Sequence, residues 1–287
     1  MQIFVVTKKL DFFQSGELID ALRMHLEADE ITLVVPAELV QMAKRTTSSD
    51  NLIRVVNEVE IAGFPLSDIT KWNVDEFPYR AGWYYQQILK LAICESNLAR
   101  EKYVIWDADT IPYHRIPTFD GDKLIFTRGY EFHLPYFETN ERLIGINRTS
   151  GPRFSAVSQH MPVDRAIMRE MLQFMGQKSR DGSWVSAIMT ALLGRKGGSL
   201  FSEYEIFADW VRVKYPARFI LRSVPWLREG GLLYKPELDI AKRLAWFIAF
   251  EDWHRRYRPW PHLKSRSLLV YRALAYQRGL RKLKKAS

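Results

Sequence analysis

The residues in this chain whose types and spacing could do chemistry stand out first in Trp106-Asp107-Ala108-Asp109-Thr110. The run before it, Tyr103-Val104-Ile105-Trp106, is apolar and β-prone, and Ile111-Pro112 follows at once, so the two aspartates fall where a buried strand runs out. Side chains at i and i+2 leave an extended chain on the same side, so both carboxylates can face one point in space. Two carboxylates held that way make a hard oxygen site for Mg²⁺ or Mn²⁺, with positions open for diphosphate oxygens. A divalent ion there would neutralise the charge growing on a departing nucleotide diphosphate, which is the chemistry of sugar transfer from a nucleotide-sugar. The plainer use of Asp-x-Asp at a strand end is to cap a turn or the next helix.

The elements that must position these aspartates read as alternating. Ile3–Val6, Ile31–Val35 and Leu52–Val56 are expected strands, and Gly16–Leu26 is a helix with Leu18, Ile19, Leu22 and Leu26 on one stripe. A short helix runs through Val40 and Met42, and a strong one spans Gly82–Leu98. Beyond the aspartates, Leu124–Thr127 reads as a strand and Gly129–Ser155 as a long irregular stretch. Helices are expected from Asp164 to Phe174, over Trp184–Leu193 and over Phe201–Val213. Strand–helix alternation implies an α/β fold with a mainly parallel sheet flanked by helices, and such sheets bind ligands beyond the carboxyl ends of their strands.

Composition bounds the class. With 47% apolar and 13% aromatic residues over 287 positions, a sizeable core is available and disorder is excluded as the general state. The single Cys94 excludes an intramolecular disulfide and a cysteine zinc cluster. The N-terminal apolar run is too short for a secretory signal, and no apolar stretch is long enough to span a bilayer, so a cytoplasmic chain is expected. Of the 42 Lys and Arg and 33 Asp and Glu, residues 242–287 hold thirteen and two, leaving 29 and 31 for residues 1–241. The positive excess therefore belongs to the C-terminal tail, which speaks against a nucleic-acid surface spread over the fold. The tail interleaves Trp246, Phe247, Phe250, Trp253, Tyr257, Trp260, Tyr271 and Tyr276 with its cations. That pattern suits either a helix lying in an anionic headgroup layer or a terminal helical pair packing its rings on the domain.

Four segments carry a resemblance: Gly82-Trp83-Tyr84-Tyr85-Gln86-Gln87-Ile88-Leu89-Lys90-Leu91, Trp106-Asp107-Ala108-Asp109, Ser158-Gln159-His160-Met161 and Phe201-Ser202-Glu203-Tyr204-Glu205. With them the chain resembles glycosyltransferases of the GT-A fold, most closely an uncharacterised bacterial family assigned to that fold, over residues 1–225 or so. A GT-A-like domain is expected over 1–240, followed by a basic aromatic helical extension over 241–287 that lies outside the resemblance. The resemblance implies a metal-dependent transferase moving a sugar from a nucleotide-diphosphate-sugar donor to a glycan or lipid-linked acceptor, in bacterial surface polysaccharide synthesis. Asp107 and Asp109 would hold Mn²⁺ or Mg²⁺ on the donor diphosphate, with Ala108 between them at the donor. Thr7 and Lys8 would border the nucleotide.

Gln87 and Lys90, i and i+3 on one helix face, can reach the same region. Lys90 reads equally as a phosphate contact or as a solvated cation paired with Glu95 or Glu101, and the glutamines 86 and 87 as caps on polar backbone. His160 offers a nitrogen to the metal, a role for which His114 and His133 compete. The resemblance implies that Glu203 and Glu205 border the acceptor, where a carboxylate could take the hydroxyl proton. The plainer reading sets Glu203 in the first turn at the positive helix end and Glu205 in a capping box with Ser202, and both can hold at once. Arg128, Arg142, Trp226, Arg228 and the Gly230-Gly231 turn are further candidates for an acceptor opening. Two other functions remain open: a phosphosugar transferase using the same metal site, and a non-catalytic GT-A-like protein that binds a membrane or partner through its tail.

Overall fold

The structure is a computed structural model, and it describes residues 1–8, 16–48, 50–71, 80–148, 153–195 and 199–251. In chain order the elements begin β1 (Gln2–Val6), α1 (Glu17–Leu26), β2 (Glu30–Val35), α2 (Val40–Thr46), β3 (Ile53–Asn57), α3 (Glu58–Ala62), α4 (Leu66–Thr70) and α5 (Ala81–Ala92). Next come β4 (Lys102–Asp107), β5 (Thr110–Pro112), β6 (Phe119–Asp120), β7 (Lys123–Thr127), α6 (Leu134–Ile144) and β8 (His160–Asp164). They end with α7 (Arg165–Gly176), α8 (Trp184–Leu192), α9 (Glu203–Lys214), β9 (Phe219–Arg222), α10 (Lys235–Leu244) and β10 (Phe247–Ala249). The chain divides into two compact units, one of Met1–Leu10, Asp29–Asp107 and Thr118–Arg222, the other of Asp11–Ala28, Ala108–Pro117 and Ser223–Ser287.

The first unit is built on a five-stranded sheet in the order β3-β2-β1-β4-β8. The pairs β3–β2, β2–β1 and β1–β4 are parallel and β4–β8 is antiparallel, giving the expected α/β, mainly parallel sheet flanked by helices. Every residue of β1 is buried, as befits a strand covered on both faces. From β1 the chain steps outward through β2 to β3, then returns to lay β4 on the other side of β1. The strand order thus reverses between β1 and β4, and the crevice outside their carboxyl ends is where open α/β sheets bind ligands. There Val6 pairs in register with Asp107. Phe4, Ile105, Met161, Met168, Met171, Leu172, Ile206 and Phe207 belong to one continuous core.

Two local expectations are corrected. The helix expected to reach Leu98 ends at Ala92 and tightens into a 3₁₀ turn over Ile93–Glu95. The Arg165 guanidinium takes the carbonyls of Cys94, Ser96 and Ala99, so their satisfaction comes from a side chain and the helix has no need to continue. The stretch expected to be irregular holds α6, which has Pro135 in its first turn and stops at Gly145 in the left-handed region. A three-stranded sheet, β6-β7-β9, completes this unit.

The second unit contains α1, the antiparallel pair β5–β10 and α10. Its core joins Leu227, Ala241, Ala245 and Ile248, with Tyr113, Leu233, Leu238 and Phe250 packed against them. Trp226 stacks on the buried Phe247, ring centroids 5.0 Å apart. A Cβ on Gly230 would collide with Ile248 and with the Ala249 carbonyl, so this turn requires glycine. Of the tail aromatics, Trp246, Phe247 and Phe250 belong to this unit, while Trp253, Tyr257, Trp260, Tyr271 and Tyr276 lie outside the described residues. No helix among the described residues is long and apolar enough to cross a membrane.

Ile105 sits fully buried at the middle of β4. Ile105→Ala should cost about 2–5 kcal/mol through lost burial and the cavity left behind. Urea unfolding measures it, and a change under about 1 kcal/mol would contradict the buried interior place given to β4.

Candidate active site

Helix α5 buries Gln87 and Lys90 on one face, one turn before its end. Lys90 is 4% exposed, so its ammonium must find partners inside the protein. Its Nζ donates to Asp107 Oδ1 at 2.5 Å, to Glu203 Oε1 at 2.7 Å and to the Tyr204 hydroxyl at 3.2 Å. The Tyr204 hydroxyl in turn donates to the same Asp107 oxygen at 2.7 Å, and Lys90 Nζ also lies 4.6 Å from the centre of the Tyr204 ring. Gln87 Oε1 accepts from the Glu203 backbone N–H at 3.2 Å. Three elements therefore meet in one polar cluster: α5 supplies Gln87 and Lys90, β4 supplies Asp107, and the first turn of α9 supplies Glu203 and Tyr204.

Burial alone would lower the Lys90 pKa, but the adjacent Asp107 and Glu203 outweigh it and hold the ammonium well above its ordinary range. Burial raises the Glu203 carboxyl, against the pull of Lys90 and with the help of Asp107. One cation is thus shared by two carboxylates, which leaves the trio a single net negative charge. Lys90 is neither solvated nor paired with Glu95 or Glu101, the plainer partners that spacing suggested.

Asp107 fits a hard cation in one respect. Its Oδ1 is committed to Lys90 and Tyr204, while among the described residues Oδ2 accepts no hydrogen bond, and the side chain is 16% exposed. Among the described residues no three His, Cys, Asp or Glu side chains gather into a metal-holding group. An ion of the Mg²⁺ type at Asp107 would take its remaining ligands largely from phosphate and water, as such ions do. Gln87 Nε2 is buried with no acceptor among the described residues, an orphan donor beside this cluster.

The other expected residues are placed as follows. Thr7 follows β1 directly, buried, with its N–H on the Val34 carbonyl, and Lys8 beyond it is exposed. Gln86 Nε2 donates to the Val6 carbonyl at 3.2 Å, the backbone cap that its position allowed. Ala108 and Asp109 belong to the second unit, where the Asp109 carbonyl accepts from Phe250 N–H at 2.7 Å. His160 pairs with Trp106 across β4–β8 and stacks on its ring at 5.0 Å. Its Nδ1 lies 3.0 Å from the Ser158 carbonyl and its Nε2 3.1 Å from the Thr127 hydroxyl. A carbonyl only accepts, so Nδ1 carries the proton and Nε2 receives the hydroxyl's. The ring of His133 meets the Ser199 carbonyl at 2.7 Å, while Arg128 and Arg142 donate to the carbonyls of Arg153 and Ala191. In the second unit Arg228 pairs with Glu251 at 2.7 Å.

Glu203 and Glu205 part ways on α9. Ser202 caps the helix by accepting from Glu205 N–H, but the Glu205 carboxylate turns elsewhere instead of closing a capping box. It is 0% exposed and accepts from Ser155 Oγ at 2.6 Å, from Ala156 N–H at 3.1 Å and from Arg148 at 3.4 Å. Arg148 also reaches Asp209 at 3.0 Å, and its guanidinium lies over the rings of Phe154 and Phe137 at 3.9 and 4.2 Å. Asn140 donates to the second Asp209 oxygen at 3.0 Å. Sequence reasoning missed Arg148, Asp209 and Asn140. The one signal was Glu205 and Asp209 at i and i+4 on an otherwise apolar helix face, where two carboxylates require a buried cation. Burial pushes Glu205 up to about 7, against the pull of Ser155, Arg148 and Ala156.

The fold and site define an α/β protein whose ionisable groups converge where the strand order of its sheet reverses. Residues 14–220 match a family of unknown function, DUF6492, and the chain belongs to that family. Among solved structures, mouse xyloside xylosyltransferase 1 in its apo form is similar at 14% identity, over 87% of this chain and 97% of that one, with a TM-score of 0.45. Galactosyltransferase LgtC in complex with donor and acceptor sugar analogs is similar at 13% identity, over 94% of this chain and 95% of that one, with a TM-score of 0.47. No curated protein matches the sequence.

Burial lowers His160 from its ordinary 6.5 to about 4, only partly opposed by the Ser158 carbonyl and the Asp107 charge. The unfolded chain therefore takes up this proton first, and the stability contributed by neutral His160 is complete above 6.5 and lost as pH falls toward 4. Glu205 acts in the opposite sense, its contribution fading as pH rises from 4.5 to about 7. The stability difference between the parent and His160→Gln should accordingly shrink as the pH of urea unfolding is lowered through 6.5. A difference independent of pH would contradict a buried neutral imidazole.

Proposed function

We propose that this protein transfers a sugar from a nucleotide-diphosphate-sugar donor to a glycan or lipid-linked acceptor, using Mn²⁺ or Mg²⁺. The observation that carries this reading is Asp107 itself: a carboxylate at the carboxyl end of β4, beside β1 where the strand order reverses, with one oxygen held by Lys90 and Tyr204 and the other accepting no hydrogen bond among the described residues. Bound there, a divalent ion would neutralise the charge developing on the leaving diphosphate. The chain's own groups do the rest. Lys90 and Tyr204 fix the Asp107 rotamer, and Gln87 Nε2 is a donor for a phosphate oxygen or an ordered water. Thr7 and Lys8, next to the Val6–Asp107 pair, border the nucleotide in this reading. Ala108 and Asp109 enter it through sequence spacing and the GT-A resemblance alone. Glu203 and Glu205 enter as the buried carboxylates that hold Lys90 and Arg148 in place.

The positive excess of residues 242–287 supports work on an anionic membrane face, where a lipid-linked acceptor would be met. Bacterial surface polysaccharide synthesis is the setting this suggests.

A panel of nucleotide diphosphates and nucleotide-sugars, with and without Mn²⁺, tests the reading by thermal shift. A ligand at 100 times its Kd adds about 2.7 kcal/mol to the folded state. One nucleotide should raise the melting temperature only with Mn²⁺, and Asp107→Asn should abolish the rise. No response to any donor would favour a non-catalytic protein that binds membrane or partner.

A further inference from the structure

We infer that Glu203 is a positioning residue that keeps Asp107 negative toward a divalent cation by taking up half of the Lys90 charge. The inference rests on the metal reading of Asp107 and deepens it. The geometry poses an electrostatic difficulty, because an ammonium 2.5 Å from a carboxylate oxygen already neutralises most of what that carboxylate offers a metal. A lone Lys90–Asp107 pair would be a poor place to put two further positive charges.

Glu203 removes the difficulty. It lies 2.7 Å from the same Nζ, with its side chain 4% exposed, so the interaction is screened far less than a surface pair would be. With it, two carboxylates share one cation and a net negative charge remains, which Asp107 can present through Oδ2. Lys90 and Tyr204 occupy Oδ1 from the inside, so the ammonium orients the carboxylate without standing where a metal would. The Glu203 backbone is fixed independently, its N–H on Gln87 Oε1 at the start of α9. The trio therefore separates two tasks that one carboxylate performs badly together: being held by a cation, and holding one.

The test is Mn²⁺ binding to the full chain, with the metal alone, read by water-proton relaxation, so that no donor or acceptor needs to be known. Glu203→Gln keeps the shape but leaves Lys90 and Asp107 a neutral pair, and should weaken Mn²⁺ by about tenfold or more, the scale of losing one poorly screened charge a few ångströms away. Glu203→Asp, which keeps the charge, should recover most of that loss. The double variant Lys90→Met/Glu203→Gln removes one charge of each sign and should bind Mn²⁺ several-fold more tightly than Glu203→Gln, although it has also lost the Lys90 contact that fixes Asp107. That recovery is the result a merely structural role for Glu203 does not give.

If Glu203→Gln fails to fold, the double variant compared with Lys90→Met still decides, since both lack the Lys90 contact: weaker Mn²⁺ binding by the double variant supports the charge-sharing account, and equal affinities overturn it. Glu203→Gln folding and binding Mn²⁺ like the parent also overturns it, while the Asp107 reading stands. A parent chain that takes up no Mn²⁺, or an Asp107→Asn variant that binds it unchanged, overturns the metal reading and this inference together.

Discussion

Lys90 is a cation with nowhere to go. Buried at the end of α5, its ammonium forfeits water and must be compensated by charge and hydrogen bonds supplied from other parts of the chain. Asp107 at the end of β4 and Glu203 at the start of α9 meet that demand, with Tyr204 closing the set. Removing Lys90 leaves two carboxylates uncompensated in the interior, so an interior strand of the sheet, the helix before it and a helix nearly a hundred residues later are tied to one another. The constraint also fixes the Asp107 side chain, since Lys90 and Tyr204 both engage its Oδ1.

A second buried cation repeats the principle without the opening. Arg148 is held by Glu205 and Asp209 and covered by Phe137 and Phe154. Both of its carboxylates are wholly buried, whereas Asp107 keeps some exposure at the carboxyl end of a parallel strand. Both networks involve α9, whose first turn places Glu203 and Glu205 two residues apart with different partners. Residues two apart on a helix do not face each other, so each carboxylate serves a different cation.

Much of this framework was legible in the sequence, and the failures have physical causes. The strands β1, β2, β4 and β7 announce themselves as short apolar runs because sheets buried on both faces need them. Helix α6 went unread because only part of its length is apolar, as its exposed face is polar, and because Tyr130, Phe132 and Pro135 nearby suggest a loop. The extent of α5 was overread because its terminator is Arg165, a residue distant in sequence that captures the carbonyls after Ala92. At the site, the types and spacing of Gln87, Lys90 and Asp107 pointed to one region, but the pairing of Lys90 with Glu203 could not be read. It joins positions separated by more than a hundred residues, and the nearer Glu95 and Glu101 offered a simpler partner. The division of the chain into units of three segments each was invisible for the same reason, since no composition shift marks Asp11, Ala108 or Ser223.

The central claim is that Asp107, held on one oxygen by Lys90 and Tyr204, turns the other toward a divalent cation. Diffraction from crystals of the chain grown with Mn²⁺ and a nucleotide diphosphate, collected at the manganese absorption edge, tests it most directly. The account predicts an anomalous peak about 2.2 Å from Asp107 Oδ2, the length of a hard cation–oxygen bond, with Oδ1 still on the Lys90 ammonium. A peak bound to other residues, or an Asp107 that abandons Lys90 to chelate the metal with both oxygens, would contradict it.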